Sequence, residues 1–160
     1  MKMDTDSGRT VIFVCTSNTC RSPMAEAFGK SWLLQNYPDK VPYDVVSRSL
    51  TEDYEPVGSP ASRNGIEVLA QYYSLNTEEH RSCLLTSSDV ESAIAIVGVS
   101  RSHVQTIRHL FPEAARKTFA LSRDIPDPWH EELDVYHQCA RLMKPLVEEA
   151  MAKIASVDLS

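Results

Sequence analysis

Short apolar runs alternate with amphipathic stretches along most of the chain. An apolar, β-branched run fills 10–15, and further short runs follow at 43–48, 93–97 and 117–121. A continuous apolar run of this length is typical of a strand that is buried on both faces. The pattern therefore predicts four strands, and the first of them is the most strongly apolar.

Residues with helical spacing lie between the predicted strands. Ser22 followed by Pro23 is expected to cap the helix after the first strand, and Ser59-Pro60 to open the helix after the second. Ser87 or Ser88 is expected to cap a short helical turn before the third strand. Apolar residues then recur at helical period through 100–110 and from Tyr136 to Ile154. Pro145 interrupts the last pattern, which predicts a kink or a split there.

Strands and helices alternate, and this order defines the expected fold class. We expect an α/β fold: a single-domain, three-layer αβα arrangement with a four-stranded parallel sheet and helices on both faces. The long connections, 50–60 and 122–132, contain prolines. Loops at the carboxyl ends of parallel strands are where such folds build binding sites.

Length and composition fit one globular domain. The chain has 160 residues, of which 42% are hydrophobic and 24% charged. Residues 1–9 are polar and are expected to form a flexible N-terminal segment, and 10–160 the domain. The net charge of −6 argues against a nucleic-acid partner. No apolar run is long enough for a membrane span or a secretory signal, so the expected location is cytoplasmic.

The segment that follows the first strand carries the chemistry. It begins at Cys15 and ends at Arg21, immediately before a predicted helix. Unpaired backbone N–H groups at a helix N-terminus attract anions, and they also favour a thiolate at the centre of the loop. A thiolate is a strong nucleophile, and the planar fork of Arg21 suits the oxygens of a phosphoryl group. The spacing therefore predicts a loop that binds phosphate or other oxyanions.

Other kinds of site find little support. The chain lacks the Gly-rich loop with Lys that binds nucleoside triphosphates, and it lacks a dinucleotide fingerprint. Beyond Cys15 and Cys20 the chain has no second closely spaced cysteine pair and no Cys/His cluster of the zinc-binding kind, so no metal and no cofactor is expected. The loop dipoles and Arg21 would supply the positive field instead.

Residues 14–26 (VCTSNTCRSPMAE) resemble the signature loop of the low-molecular-weight protein tyrosine phosphatase family. A second mark of that family is a late Asp-Pro pair, and Asp127-Pro128 occupies its place. The resemblance extends over 10–155. It implies a metal-independent enzyme that hydrolyses phosphorylated side chains of proteins through a phosphocysteine intermediate.

The resemblance also implies a role for each matching residue. Cys15 would be the nucleophile, Arg21 would bind the phosphoryl oxygens, and Asp127 would act as general acid and then general base. Ser22 would hydrogen-bond the thiolate. The rest of the loop would bind substrate: Thr16, Ser17, Asn18, Thr19 and Cys20. Tyr54 and Trp129 would form aromatic walls at the pocket mouth. Ser47 and His80 would support the loop as partners of Asn18.

The identity of the phosphorylated side chain depends on one position. Thr19 stands where tyrosine-directed members usually carry isoleucine, and threonine there resembles the branch that acts on phosphoarginine. A hydroxyl-bearing side chain changes the width of a pocket and adds a hydrogen-bonding group. Phosphoarginine is therefore slightly favoured over phosphotyrosine, which remains the alternative.

Two other functions stay open. Thioredoxin-coupled arsenate reductases share this loop, but their relay cysteines after the third strand have no counterpart in 98–103. A phospho-binding module without turnover would need Arg21 but neither Cys15 nor Asp127, and both are present.

Cys20 is near enough in sequence to form a protective disulfide with Cys15 under oxidation. Trp129-His130 offers a surface for weak self-association, so a monomer or a weak dimer is expected.

Overall fold

The computed structural model describes residues 8–158 and is built around one parallel sheet. Its strands are β1 (Thr10–Cys15), β2 (Asp44–Ser49), β3 (Ala93–Gly98) and β4 (Thr118–Ala120), in the order β2-β1-β3-β4. The four predicted strands are confirmed to within two residues at each end. β1 is paired on both sides, so Cys15 emerges at the carboxyl edge near the middle of the sheet.

Helices cover both faces of the sheet, which confirms the three-layer prediction. The helices are α1 (Arg21–Asn36), α2 (Arg63–Tyr73), α3 (Ser87–Ser92), α4 (Arg101–Leu110) and α5 (Leu133–Asp158), with a 3₁₀ helix at Pro112–Lys117. The larger core joins α1, α2 and α5 to one face of the sheet, where Phe13 lies. The smaller core joins α3 and α4 to the other face, where Ile12 lies. Side chains of β1 therefore alternate between two buried layers.

The start of α1 differs from the prediction. The helix begins at Arg21 and its N-cap is Cys20, so the expectation that Ser22 caps it is wrong. Ser22 lies inside the first turn and is fully buried. Its hydroxyl contacts Cys15 and Asn18 instead of a free backbone N–H, which places it in the loop structure described below.

The starts of α2 and α3 are also corrected. Ser59-Pro60 does not open α2, because the backbone of Ser59 and Pro60 pairs with residues 81–82. The N-cap of α2 is Ser62. The N-cap of α3 is Thr86, whose side chain and that of Asp89 form a reciprocal capping box, rather than Ser87 or Ser88.

Pro145 does not split the last helix. α5 continues from Leu133 through Asp158 with Pro145 inside it. A proline in a helix interior costs about 3 kcal/mol. The apolar face of α5 outweighs this cost, because Met143, Val147 and Met151 are completely buried in the larger core.

The N-terminal prediction is largely outside the described part of the chain. Of the expected flexible segment 1–9, only residues 8 and 9 are described. Among the described residues, none of the helices combines the length and apolar character that crossing a bilayer requires.

Candidate active site

The carboxyl edge of the sheet opens into a cavity of about 220 Å³. Its walls come from the loops that follow β1, β2 and β4, as expected for a parallel sheet. Every lining residue is one that the sequence predicted: Cys15, Thr16, Ser17, Thr19, Cys20, Arg21, Tyr54, Asp127 and Trp129. The four remaining predicted site residues, Asn18, Ser22, Ser47 and His80, form hydrogen bonds behind this wall.

Hydrogen-bond donors surround the Cys15 sulfur. The backbone N–H groups of Asn18 and Ser22 donate to Sγ at 3.3 and 3.4 Å, and Ser22 Oγ lies 3.0 Å away. The side-chain nitrogen of Asn18, Nδ2, donates to the same Ser22 oxygen at 2.8 Å, which leaves the hydroxyl hydrogen of Ser22 directed at the sulfur. Donors at the N-terminus of a helix stabilise negative charge on the group that they face.

Asn18 holds the shape of the loop. Its φ is +61°, a left-handed conformation that asparagine tolerates better than most residues. Its side chain is buried, donates to Ser47 Oγ at 2.9 Å and accepts from the Cys83 backbone N–H at 3.0 Å. The side chain therefore ties the loop both to β2 and to the segment before α3.

The predicted partners of Asn18 are both in contact with it. His80 Nε2 lies 2.7 Å from the Asn18 carbonyl oxygen, and since a carbonyl only accepts, the imidazole donates. Burial lowers the pKa of His80, although this hydrogen bond opposes the shift. The Ser47 hydroxyl in turn donates a hydrogen bond to Glu26 Oε1 at 2.7 Å. Glu26 is a supporting residue that the sequence analysis missed, because its position inside α1 gave no sign that it faces Ser47.

Backbone and side-chain contacts fix the guanidinium of Arg21 at the cavity wall. Its Nη1 donates to the Ile125 carbonyl at 3.0 Å and lies 3.5 Å from Ser100 Oγ. Its Nη2 lies 3.5 Å from Asp127 Oδ2. The side chain of Arg21 is 9% exposed. The guanidinium is therefore held in place before any ligand binds, which reduces the entropy lost on binding.

Asp127 is placed at the mouth of the cavity. Its Oδ1 accepts from the Trp129 backbone N–H at 3.1 Å, and its side chain is 45% exposed. The second oxygen faces Arg21. A carboxyl group with one oxygen anchored and the other beside the guanidinium is within reach of a group that leaves the cavity.

Two aromatic residues wall the mouth of the cavity. The rings of Tyr54 and Trp129 meet edge to face at 6.0 Å between centroids. The Trp129 indole nitrogen donates to Glu55 at 3.3 Å, which holds this ring, while Tyr54 is 61% exposed. The structure thus brings both predicted aromatic residues together, and a planar substituent could stack on either one.

The distal part of the loop is packed against α2 and α5. Thr19 is 4% exposed, and its carbonyl accepts from the Ser62 N–H at 2.8 Å. Cys20 Sγ lies 3.5 Å from the Tyr136 hydroxyl. Burial raises the pKa of the Cys20 thiol. Cys15 and Cys20 are both free thiols that line the same cavity.

Within residues 8–158 no three His, Cys, Asp or Glu side chains come together as a metal-binding group. The charged groups that line the cavity are the Arg21 guanidinium and the Asp127 carboxylate. Beside them lies the Cys15 sulfur with its hydrogen-bond donors. This set can bind a tetrahedral oxyanion, attack it with sulfur and exchange a proton with its substituent.

Three groups meet at the edge of the parallel sheet: the Cys15 sulfur surrounded by hydrogen-bond donors, the fixed Arg21 guanidinium and the Asp127 carboxyl group. Together they define the class of cysteine-based phosphatases. Comparison with known proteins agrees. The family model for low molecular weight phosphotyrosine protein phosphatase matches residues 10–158. The chain belongs to this family.

Relatives within the family carry two kinds of name. A protein-arginine-phosphatase of Bacillus subtilis is 33% identical over 147 residues, covering 87% of this chain and 92% of that protein. A probable low molecular weight protein-tyrosine-phosphatase, EpsP of Ralstonia nicotianae, is 28% identical over 153 residues, covering 93% and 98%. Among solved structures, Vibrio vulnificus Wzb in complex with benzylphosphonate matches with a TM-score of 0.80 at 26% identity, covering 91% of this chain and 98% of that one.

Proposed function

We propose that this chain is a metal-independent protein phosphatase that hydrolyses phosphorylated side chains through a phosphocysteine intermediate. The observation that carries the proposal is the Cys15 sulfur, which receives hydrogen bonds from Asn18 and Ser22 at the base of the cavity. A cysteine sulfur is a strong nucleophile, and these donors hold it at the point where a phosphoryl group would bind. The Wzb complex with benzylphosphonate supports an oxyanion as the ligand of this loop.

The first step transfers the phosphoryl group to sulfur. Cys15 Sγ attacks phosphorus, and the bond from phosphorus to the substrate side chain breaks. Asp127, in its acid form, gives its proton to the departing oxygen or nitrogen. The guanidinium of Arg21 and the N–H groups of the loop balance the charge on the phosphoryl oxygens throughout.

The second step releases inorganic phosphate. A water molecule attacks phosphorus, the phosphorus–sulfur bond breaks, and the thiolate of Cys15 is regenerated. The Asp127 carboxylate formed in the first step takes the proton from this water. Its place at the mouth, with one oxygen anchored by the Trp129 N–H, supports both of its roles.

Hydrolysis of a chromogenic aryl phosphate tests the proposed activity. We expect turnover by the wild-type protein that is unchanged by a strong chelator and competitively inhibited by inorganic phosphate. A wild-type protein that binds phosphate but releases no phenol would instead be a phospho-binding module. Loss of activity with the chelator, restored by added metal, would contradict the metal-independent step.

We further propose that phosphoarginine is favoured over phosphotyrosine. Thr19 supports this preference, because it lines the cavity and is nearly completely buried. The protein-arginine-phosphatase relative gives independent support, and the relative named as a tyrosine phosphatase is why phosphotyrosine remains the alternative. A buried polar group in a binding site can discriminate between substrates by about 1–3 kcal/mol.

Replacing Thr19 with isoleucine is expected to shift the ratio of kcat/KM toward phosphotyrosine by about tenfold. The longer side chain narrows the cavity and removes its hydroxyl. The measurement compares matched phosphotyrosine and phosphoarginine peptides, with Thr19→Val as a control that removes the hydroxyl at nearly constant volume. An unchanged ratio in Thr19→Ile would show that this position does not select the substrate.

Cys20 is proposed to protect Cys15 from irreversible oxidation. Peroxide would convert the Cys15 thiolate to a sulfenic acid, and the Cys20 thiol would displace water to form a disulfide. Cys20→Ser is therefore expected to recover several-fold less activity than the parent after peroxide and then reductant. Cys83→Ser, which removes an exposed thiol, should recover as the parent does. Equal recovery by Cys20→Ser and the parent would refute the protective role.

The reactive thiol also indicates the compartment in which the protein acts, and the aromatic residues at the cavity mouth bear on its assembly. A nucleophilic Cys15 must stay reduced, and the cytoplasm is the compartment that keeps thiols reduced, so we propose that the protein acts there. Trp129 and His130, whose ring centroids lie 3.8 Å apart with the planes tilted by 30°, support at most a weak dimer of an otherwise monomeric protein.

A further inference from the structure

Thr16, the residue after the proposed nucleophile, is joined to a histidine from another element. Thr16 Oγ1 lies 3.1 Å from Nε2 of His103, which belongs to α4. Thr16 lines the cavity, while His103 is 5% exposed. The backbone of Thr16 is also fixed, because its carbonyl accepts from the N–H groups of Leu50 and Thr51. The Thr16 side chain is therefore held at the wall of the cavity.

The surroundings of His103 indicate where its proton lies. Nδ1 is buried, and no partner for it is found among the described residues. A buried N–H without an acceptor is rarer in proteins than an acceptor without a donor. This favours the tautomer in which Nδ1 is bare and Nε2–H donates to the Thr16 oxygen.

His103 is also neutral. Burial, followed by the positive charge of Arg21, lowers the pKa of His103 to about 4, while the charges of Asp124 and Asp127 act in the opposite direction. A neutral imidazole with its proton on Nε2 gives the Thr16 oxygen its hydrogen bond. The hydroxyl hydrogen of Thr16 is then free to point elsewhere.

We propose that His103 is a positioning residue that turns the Thr16 hydroxyl toward the cavity, where it donates to a phosphoryl oxygen held by Arg21 and the loop. This inference rests on the proposed phosphatase function and extends it. Thr16 becomes a neutral donor that touches the substrate, and His103 acts on the reaction only through Thr16. No covalent step is added, and the proton on Nε2 stays in place during turnover.

Substitutions at Thr16 test the donor. Thr16→Val is expected to weaken binding of inorganic phosphate, measured by titration calorimetry, and to lower kcat/KM on an aryl phosphate, each by about tenfold. Thr16→Ser keeps the hydroxyl and should stay within about threefold of the wild-type protein. Unchanged phosphate affinity in Thr16→Val would overturn the proposal. Since the calorimetric readout needs no turnover, it tests the donor even if the chain proves to bind phosphate without hydrolysing it.

A double-mutant cycle separates positioning from a merely structural effect. His103→Phe is expected to lower phosphate affinity and kcat/KM about fivefold in the wild-type background but not in the Thr16→Val background. Its effect on the melting temperature should be the same in both. His109→Phe, an exposed change on the same helix, serves as the control, and His103→Gln replaces His103→Phe if the latter does not fold. Equal losses of kcat/KM in the two backgrounds would refute the role of His103.

Discussion

Cys15→Ser is expected to lower kcat on an aryl phosphate by at least about 10⁴-fold. A serine hydroxyl at this position would have to lose a proton before it could attack phosphorus. The groups that contact the sulfur are the N–H groups of Asn18 and Ser22 and the Ser22 hydroxyl, which already accepts a hydrogen bond from Asn18. Since these contacts donate rather than accept, none of them can take the proton from the serine.

Phosphate binding should survive the same substitution. Arg21 and the loop N–H groups are unchanged in Cys15→Ser, so calorimetry is expected to give an affinity for phosphate no weaker than that of the wild-type protein. The control is Cys83→Ser, whose thiol is exposed and should be dispensable for turnover. A Cys15→Ser protein that retains a tenth of the wild-type kcat would show that another group is the nucleophile.

Arg21→Lys is expected to lower kcat/KM by about 10³-fold. In the wild-type protein one arm of the guanidinium, Nη1, is anchored on the Ile125 carbonyl. The other arm, Nη2, lies 3.5 Å from Asp127 Oδ2 at the cavity and is expected to bind the phosphoryl oxygens. A lysine ammonium is a single point charge on a flexible stem and cannot fill both positions at once. Most of the loss should fall on kcat, because the negative charge on the phosphoryl oxygens must be held throughout the transfer.

Arg101→Lys is the matched control for this change. The Arg101 side chain is 81% exposed and pairs with Asp124, outside the cavity. Its replacement should leave kcat/KM within about twofold of the wild-type value, since exposed ion pairs contribute little to the stability of the fold. If Arg21→Lys behaved like Arg101→Lys, the guanidinium would have no special part in phosphoryl transfer.

The sequence was most informative where function and local structure coincide. The apolar run of β1, the interval from Cys15 to Arg21 and the helix after it lie within one continuous segment. A reader of the chain can therefore see the strand, the anion-binding loop and the nucleophile together. The resemblance supplied the more distant parts, Asp127 and Trp129, which the structure places at the same cavity.

The parts that escaped the sequence analysis are contacts made across the fold. Ser100, His103 and the Ile125 carbonyl reach the loop from beyond β3 and β4, and nothing in their own neighbourhood marks them. Tertiary packing also explains two local differences from the sequence-based expectations, at Ser22 and at Pro145. Ser22 was expected to cap α1 but contacts the Cys15 sulfur instead, and Pro145 was expected to kink or split α5, which continues through it without a split.

Trapping the phosphoenzyme tests the central claim most directly. The protein is mixed with an excess of phosphopeptide, quenched in acid within milliseconds, digested and analysed by mass spectrometry. We expect one phosphoryl group attached to Cys15 in the wild-type protein and more of it in Asp127→Asn, where release is slowed. The corresponding peptide of Cys15→Ala should carry none. Turnover by the wild-type protein without any phosphoryl group on Cys15 at any quench time would contradict the account.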